Sequence, residues 1–160
     1  MPNTIVSGCP TDEEWSLAER FHGHLGPWMA LGMRIGRIAV DMLQPRPHFG
    51  VHVHVRCPLR TPFSCIMDGL QLATGATLGK RNIETADSDE SAIVVTVRNR
   101  DTGEAATFTV DPGVPALFGA WFAEVGGDQA ARRVWSAGAD ELPGAEPIAR
   151  SLTPARVEAG

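Results

Sequence analysis

Two imidazoles stand two positions apart in Phe21-His22-Gly23-His24-Leu25-Gly26-Pro27, with a glycine between them. Neutral imidazole is a common ligand for zinc and related transition metals. Glycine lets the backbone turn so that both rings can point one way. A helix predicted directly after this turn would place its N-terminus, which favours anions, beside them. A capped turn with two hydrogen-bonded histidines fits the same residues, so the segment alone leaves both readings open. A second candidate is Ser64-Cys65-Ile66-Met67-Asp68-Gly69-Leu70-Gln71. Cys65, Asp68 and Gln71 recur every third residue and share one helical face. A thiolate is a strong soft ligand, and a helix N-terminus is expected to lower the thiol's pKa. Equally, free cysteines are often small buried hydrophobes.

Taken together, the two segments offer more than either alone. One sulfur and two imidazoles make three ligands and leave a fourth position open. Catalytic and ligand-binding zinc sites have that pattern, whereas structural sites are closed by four protein ligands. The expected ligands are His22, His24 and Cys65, around a divalent metal. Zinc is the default, with iron or another transition metal as the alternative. Asp68 and Gln71 would support the ligands or hold a bound water. Asp68 is also a candidate ligand or general base. Trp28 follows the histidine turn and is a candidate wall of the site. A small molecule would enter the open position.

Other clusters carry less. Gly75-Ala76-Thr77-Leu78-Gly79-Lys80-Arg81 is not a P-loop, which needs four residues between its glycines and Ser or Thr after the lysine. Lys80 is still a candidate partner for a substrate carboxylate or phosphate, against the reading of a solvated basic turn. His52 and His54 share one face of a predicted strand and read as its polar side. Cys9, Cys57 and Cys65 are irregularly spaced and contain no C-x-x-C pair, so neither a disulfide framework nor a zinc ribbon is expected.

The elements that must position these groups follow from periodicity and punctuation. Thr11 or Asp12 starts a helix with acids in its first turn, ending near His22-Gly23. Trp28 to Leu43 reads as a long, mostly buried helix stopped by Pro45 and Pro47. Gly32 and Gly36 fall on one of its faces and let another backbone come close. Val51, Val53 and Val55 alternate with polar residues as a half-buried strand. Cys65 to Thr74 forms a helix with Ser64 as its cap. Ile93 to Arg98 and Ala105 to Val110 are strands joined through Gly103. Val114 to Val125 and Asp128 to Ala137 are helices separated by Gly126-Gly127. The order implies an α+β single domain with a mainly antiparallel sheet packed with helices. It spans residues 11–141, between a loose N-terminus (1–10) and a Pro/Ala-rich tail (142–160). The glycine face and apolar helix surface also predict a homodimer.

A chain of 160 residues can build one core without disulfide or metal support. Its net charge of −5 lacks the basic footprint of a nucleic-acid binder. No apolar run approaches the ~20 residues that span a bilayer. The first residues show no signal-peptide pattern, so cytoplasmic residence is expected.

Two blocks, FHGHLGPWMALGMRIGRIA (21–39) and TPFSCIMDGLQLATGATLGKRNIET (61–85), resemble the E-subunit family of formylmethanofuran dehydrogenase. HGH, S-C-x-x-D-G-x-Q, T-G-x-T-x-G-K and N-I in this order form a specific combination. The resemblance implies an α+β homodimer with a Cys/His metal site on His22, His24 and Cys65. It places Asp68, Gln71, Thr74, Lys80 and Asn82 in the same cleft. It also raises a second role, as an accessory component or a metal or cofactor chaperone for a molybdenum- or tungsten-type redox enzyme. A purely structural metal domain ranks last. Three departures stand out. Ala76 occupies a position where members often carry cysteine. Arg81 stands where many have glycine. The tail has no cysteines for the C-terminal zinc ribbon that some members carry.

Overall fold

The computed structural model of the protein describes residues 8–138, 140–142 and 149–153. Helix α1 runs from Asp12 to His22. Thr11 Oγ1 accepts from the Glu14 N–H at 3.2 Å, and Glu14 Oε2 accepts from the Thr11 N–H at 3.0 Å. This reciprocal capping fixes the helix start. The helix ends at Gly23, whose φ of 97° lies in the left-handed region that favours glycine. Helix α2 follows from Pro27 to Leu43, with proline in its first turn.

Strand β1 (Val51–Cys57) alternates as predicted: Val51, Val53, Val55 and Cys57 are buried, while His52, His54 and Arg56 face outward. A single 3-10 turn at Phe63–Cys65 leads into α3 (Ile66–Thr74). The turn closes the start of α3 with backbone carbonyls, and the Ser64 side chain does not cap it. Strand β2 (Ile83–Asp87), which sequence patterning does not predict, pairs parallel to β1. Only Ile83 of its residues is buried, so no hydrophobic alternation marks it. Strands β3 (Val94–Asn99) and β4 (Ala105–Thr109) form the expected antiparallel hairpin.

Helix α4 spans Val114–Ser136, but Gly126 breaks it with φ 80° and ψ 173°. The expected division into two helical segments therefore holds. In the region expected to be a tail, Leu142 is buried in the core, and β5 (Ala149–Thr153) pairs antiparallel to β4. The rest of that tail, and the loose start before residue 8, lie outside the described residues.

The sheet order is β2-β1-β3-β4-β5. Only the β1–β2 pair is parallel, and α3 makes the crossover between these strands. The α+β architecture with a mainly antiparallel sheet is thus as expected. Helix α2 is buried along almost its whole length and forms the centre of the core. A Cβ on Gly32 would run into the Ile66 carbonyl oxygen, and one on Gly69 into the Met29 carbonyl oxygen. A Cβ on Gly36 would lie 2.7 Å from that of Ala73. The predicted close approach on α2 is therefore made within the chain, by α3, and that glycine face is not open to a second copy. Arg34, buried in α2, donates to the Val134 and Ala137 carbonyls at 2.6 and 2.9 Å. It ties down the C-terminal end of α4. Among the described residues, no helix is long and apolar enough to cross a membrane.

Candidate functional site

The close α2–α3 packing brings the first turns of α3 against the end of α1. His22 Nδ1 and Asp68 Oδ2 are 2.6 Å apart, across 46 positions of sequence. A carboxylate can only accept, so Nδ1 carries the hydrogen and Nε2 is left with its lone pair. The His22 side chain is 8% exposed, and its Nε2 is buried without a hydrogen-bond partner. Leaving a buried polar atom unpaired costs about 1–3 kcal/mol. Such an atom, held in a defined tautomer, is ready to meet a ligand. Gln71 supports the arrangement: its Nε2 donates to Asp68 Oδ1 at 3.4 Å, and its Oε1 accepts from the Leu78 N–H at 3.1 Å.

The left-handed turn at Gly23 carries His24 back beside His22, with ring centroids 4.7 Å apart. His24 is exposed where His22 is buried. Cys65, half-buried at the junction of the 3-10 turn and α3, lines the same space. Burial pushes its thiol pKa up, the Asp68 charge adds to that, and a backbone hydrogen bond only partly opposes it. The lowered pKa expected from the helix start is thereby overturned.

Two cavities meet at these residues. The first, about 290 Å³, is lined by His22, His24, Cys65 and an aromatic wall that includes Trp28. The second, about 370 Å³, has His22, Cys65, Asp68 and Gln71 in its wall. His22 and Cys65 belong to both. Among the described residues, no group of three His, Cys, Asp or Glu side chains is gathered closely enough to be a ready-made metal cage. What this geometry does provide is a buried, carboxylate-braced imidazole with a free lone pair, which suits a metal ligand.

Three candidates are not brought into either cavity. Thr74 is buried and donates to the Leu70 carbonyl at 2.6 Å, while accepting from the Ala76 N–H at 3.1 Å. Asn82 is buried too; it donates to the His48 and Val51 carbonyls and accepts from the Thr77 N–H at 2.9 Å. Both work as backbone clamps around the 75–82 turn. Lys80 Nζ donates to Thr77 Oγ1 at 2.9 Å and sits 5.9 Å from the Phe49 ring centroid. It faces its own turn. Arg81 has φ 58°, in the left-handed region, which gives a conformational reason for glycine at that position. Ala76 is fully buried, so a cysteine side chain there would project into the core.

Sequence reasoning missed the opposite wall. Pro115, Phe118, Gly119 and Phe122 of α4 complete the first cavity. Gly127 lets α4 reach the histidine turn, since a Cβ there would be 2.6 Å from the Leu25 carbonyl oxygen. Phe122, 56% exposed despite its size, is the only hint, and it is legible only in three dimensions.

The fold and site define an α+β domain whose histidine turn and Cys–Asp helix start share one cleft. Residues 21–142 match the family described as "FmdE, Molybdenum formylmethanofuran dehydrogenase operon", and the chain belongs to that family. Over 90 residues it is 34% identical to a protein of Archaeoglobus fulgidus described as a "Probable S-adenosyl-L-methionine-binding protein". That match takes in 52% of this chain and 23% of the relative, so the chain spans less than a quarter of the relative's length. The fold is similar to the crystal structure of an FmdE-like protein of the tungsten formylmethanofuran dehydrogenase type from Syntrophus aciditrophicus. The TM-score is 0.55 at 24% identity, covering 87% of this chain and 72% of the other.

Proposed function

We propose that this domain binds a divalent metal, zinc by default, through His22, His24 and Cys65, and binds or transforms a small molecule beside it. The observation that carries the reading is the buried, unpartnered Nε2 of His22, with Nδ1 braced by Asp68 at 2.6 Å. Carboxylate-braced histidines are the usual form of metal-bound imidazole. Cys65 supplies sulfur on the same cavity wall, and His24 a second ring from the solvent side. When bound, a metal of this kind supplies Lewis acidity toward a carbonyl or a water. Asp68 holds the His22 tautomer, and its second oxygen, approached by Gln71, faces the cavity where a proton would be moved.

Metal analysis of the full chain, purified without added metal, tests this. Stoichiometric zinc or iron is expected in the wild type, falling by at least about tenfold in His22→Ala and in Cys65→Ser, with far-ultraviolet circular dichroism unchanged. Metal content that is the same in all three proteins would remove both residues from the site. The second reading, an accessory component or metal chaperone for a molybdenum- or tungsten-type redox enzyme, is favoured by the family's description. It predicts copurification with a larger enzyme and metal transfer to it. Sedimentation of the purified chain tests the expected homodimer.

A further inference from the structure

The first cavity has a composition that limits its occupant. Its walls are built largely from Trp28, Phe63, Phe118, Phe122, Pro62 and Pro115. Among the described residues lining it there is no Lys, Arg, Asp or Glu. Trp28 meets Phe63 and Phe118 edge-on, with ring centroids 5.3 and 4.9 Å apart. Such edge-to-face pairs hold one another in place and make a stiff aromatic frame.

Gly119 adds an independent observation. It stands in the interior of a helix, where glycine costs about 1 kcal/mol relative to alanine. Gly32 and Gly69 have an evident reason, because another backbone occupies the place of a side chain. At Gly119 a Cβ would meet nothing within 4 Å. No packing partner in the chain requires the missing side chain, and the space it leaves belongs to the cavity.

We infer that the small molecule taken up beside His22 carries an uncharged, flat, apolar ring group, aromatic or heteroaromatic, seated against Trp28, Phe63 and Phe118. Its polar end turns toward His22 and Cys65, which line this chamber and the neighbouring one. This rests on the proposed function for what the polar end meets. A small, wholly anionic ligand finds no Lys or Arg among the described residues of either wall.

The test is a titration of the full-length chain with quinoline, and separately with inorganic phosphate, followed by the ¹⁵N indole resonance of Trp28. Quinoline is expected to shift that resonance saturably, and phosphate to leave it unmoved. Gly119→Leu, which fills the chamber from α4 where there is room for a Cβ, is expected to weaken quinoline binding at least tenfold. A Trp28 resonance that quinoline does not move in the wild type overturns the inference, whatever the variant does. Undiminished quinoline binding by a folded Gly119→Leu protein overturns it as well. Metal content is read on the same samples. Metal that is lost in His22→Ala, without quinoline binding by the wild type, keeps the proposed centre and removes the chamber. Quinoline binding lost in Gly119→Leu, in a wild type that holds no metal, keeps the chamber and removes the centre.

Discussion

The chain contains the pattern His-x-His twice, and the two copies differ in every respect that matters for chemistry. His52 and His54 lie on β1, where a period of two puts both on the outer face of the sheet. His52 Nε2 meets Glu84 Oε2 at 3.3 Å, and the two side chains are 28% and 65% exposed. Such a pair contributes about 0–1 kcal/mol and leaves nothing buried and unpaired. His22 and His24 flank a helix end and a left-handed glycine. One ring is driven inward against Asp68 and the other stays outside, with their centroids 4.7 Å apart. Spacing alone therefore does not define a site. Chemistry is signalled by a polar atom that burial has separated from water and that no protein partner satisfies.

The largest expected effect comes from breaking the frame that holds the inner pair. In Gly69→Val the side chain would collide with the α2 backbone. A loss of about 3 kcal/mol or more is expected in urea unfolding. The His22–Asp68 contact should be lost with it, whereas the β1–β3 ladder that carries His52 should be affected last.

Next comes the brace itself. Asp68→Ala should cost about 1–3 kcal/mol in stability, because the His22 Nδ1–H is left without an acceptor. It should also lower metal affinity about 10- to 100-fold, measured by competition with a chelator. If affinity is unchanged, the inner pair has no special status over the outer one.

The thiols sharpen the comparison from the sulfur side. Burial pushes the Cys57 thiol up to about 11, with the Asp87 charge adding to it. Cys57 stays protonated until the pH approaches that value, so it should resist iodoacetamide at neutral pH. The order of labelling read by peptide mass spectrometry should be Cys9, exposed, then Cys65, half-buried, then Cys57, fully buried. Bound zinc should protect Cys65 and leave Cys9 reactive.

The smallest effect belongs to the outer pair. Glu84→Gln should change stability by less than about 0.5 kcal/mol, and metal content not at all. A large change in either quantity would show that the outer histidines matter more than their exposure implies.

Much of the frame was legible in the residues. The capped start of α1, its end at Gly23, the alternation on β1 and the break at Gly126 all follow from rules that operate within a few residues. Strand β2 was not legible, because four of its five residues are not buried and its reason to exist is the neighbouring β1. The positions of Thr74, Lys80 and Asn82 were also out of reach. Their polar atoms are engaged by backbone or by a neighbouring hydroxyl of the same turn, and motif matching cannot distinguish a clamp from a cleft wall.

By itself the sequence determined where helices start and stop, which strand faces are apolar, and which side chains could ligate a metal. Those properties depend on φ and ψ preferences and on hydrogen bonds between near neighbours. Only the tertiary structure decided that Gly32 receives α3 rather than a second copy, and that Asp68 braces His22 rather than His24. It also decided that one His-x-His pair is sheltered while the other is solvated. Each of these depends on contacts between distant segments, through burial and steric exclusion, which no local window of residues contains.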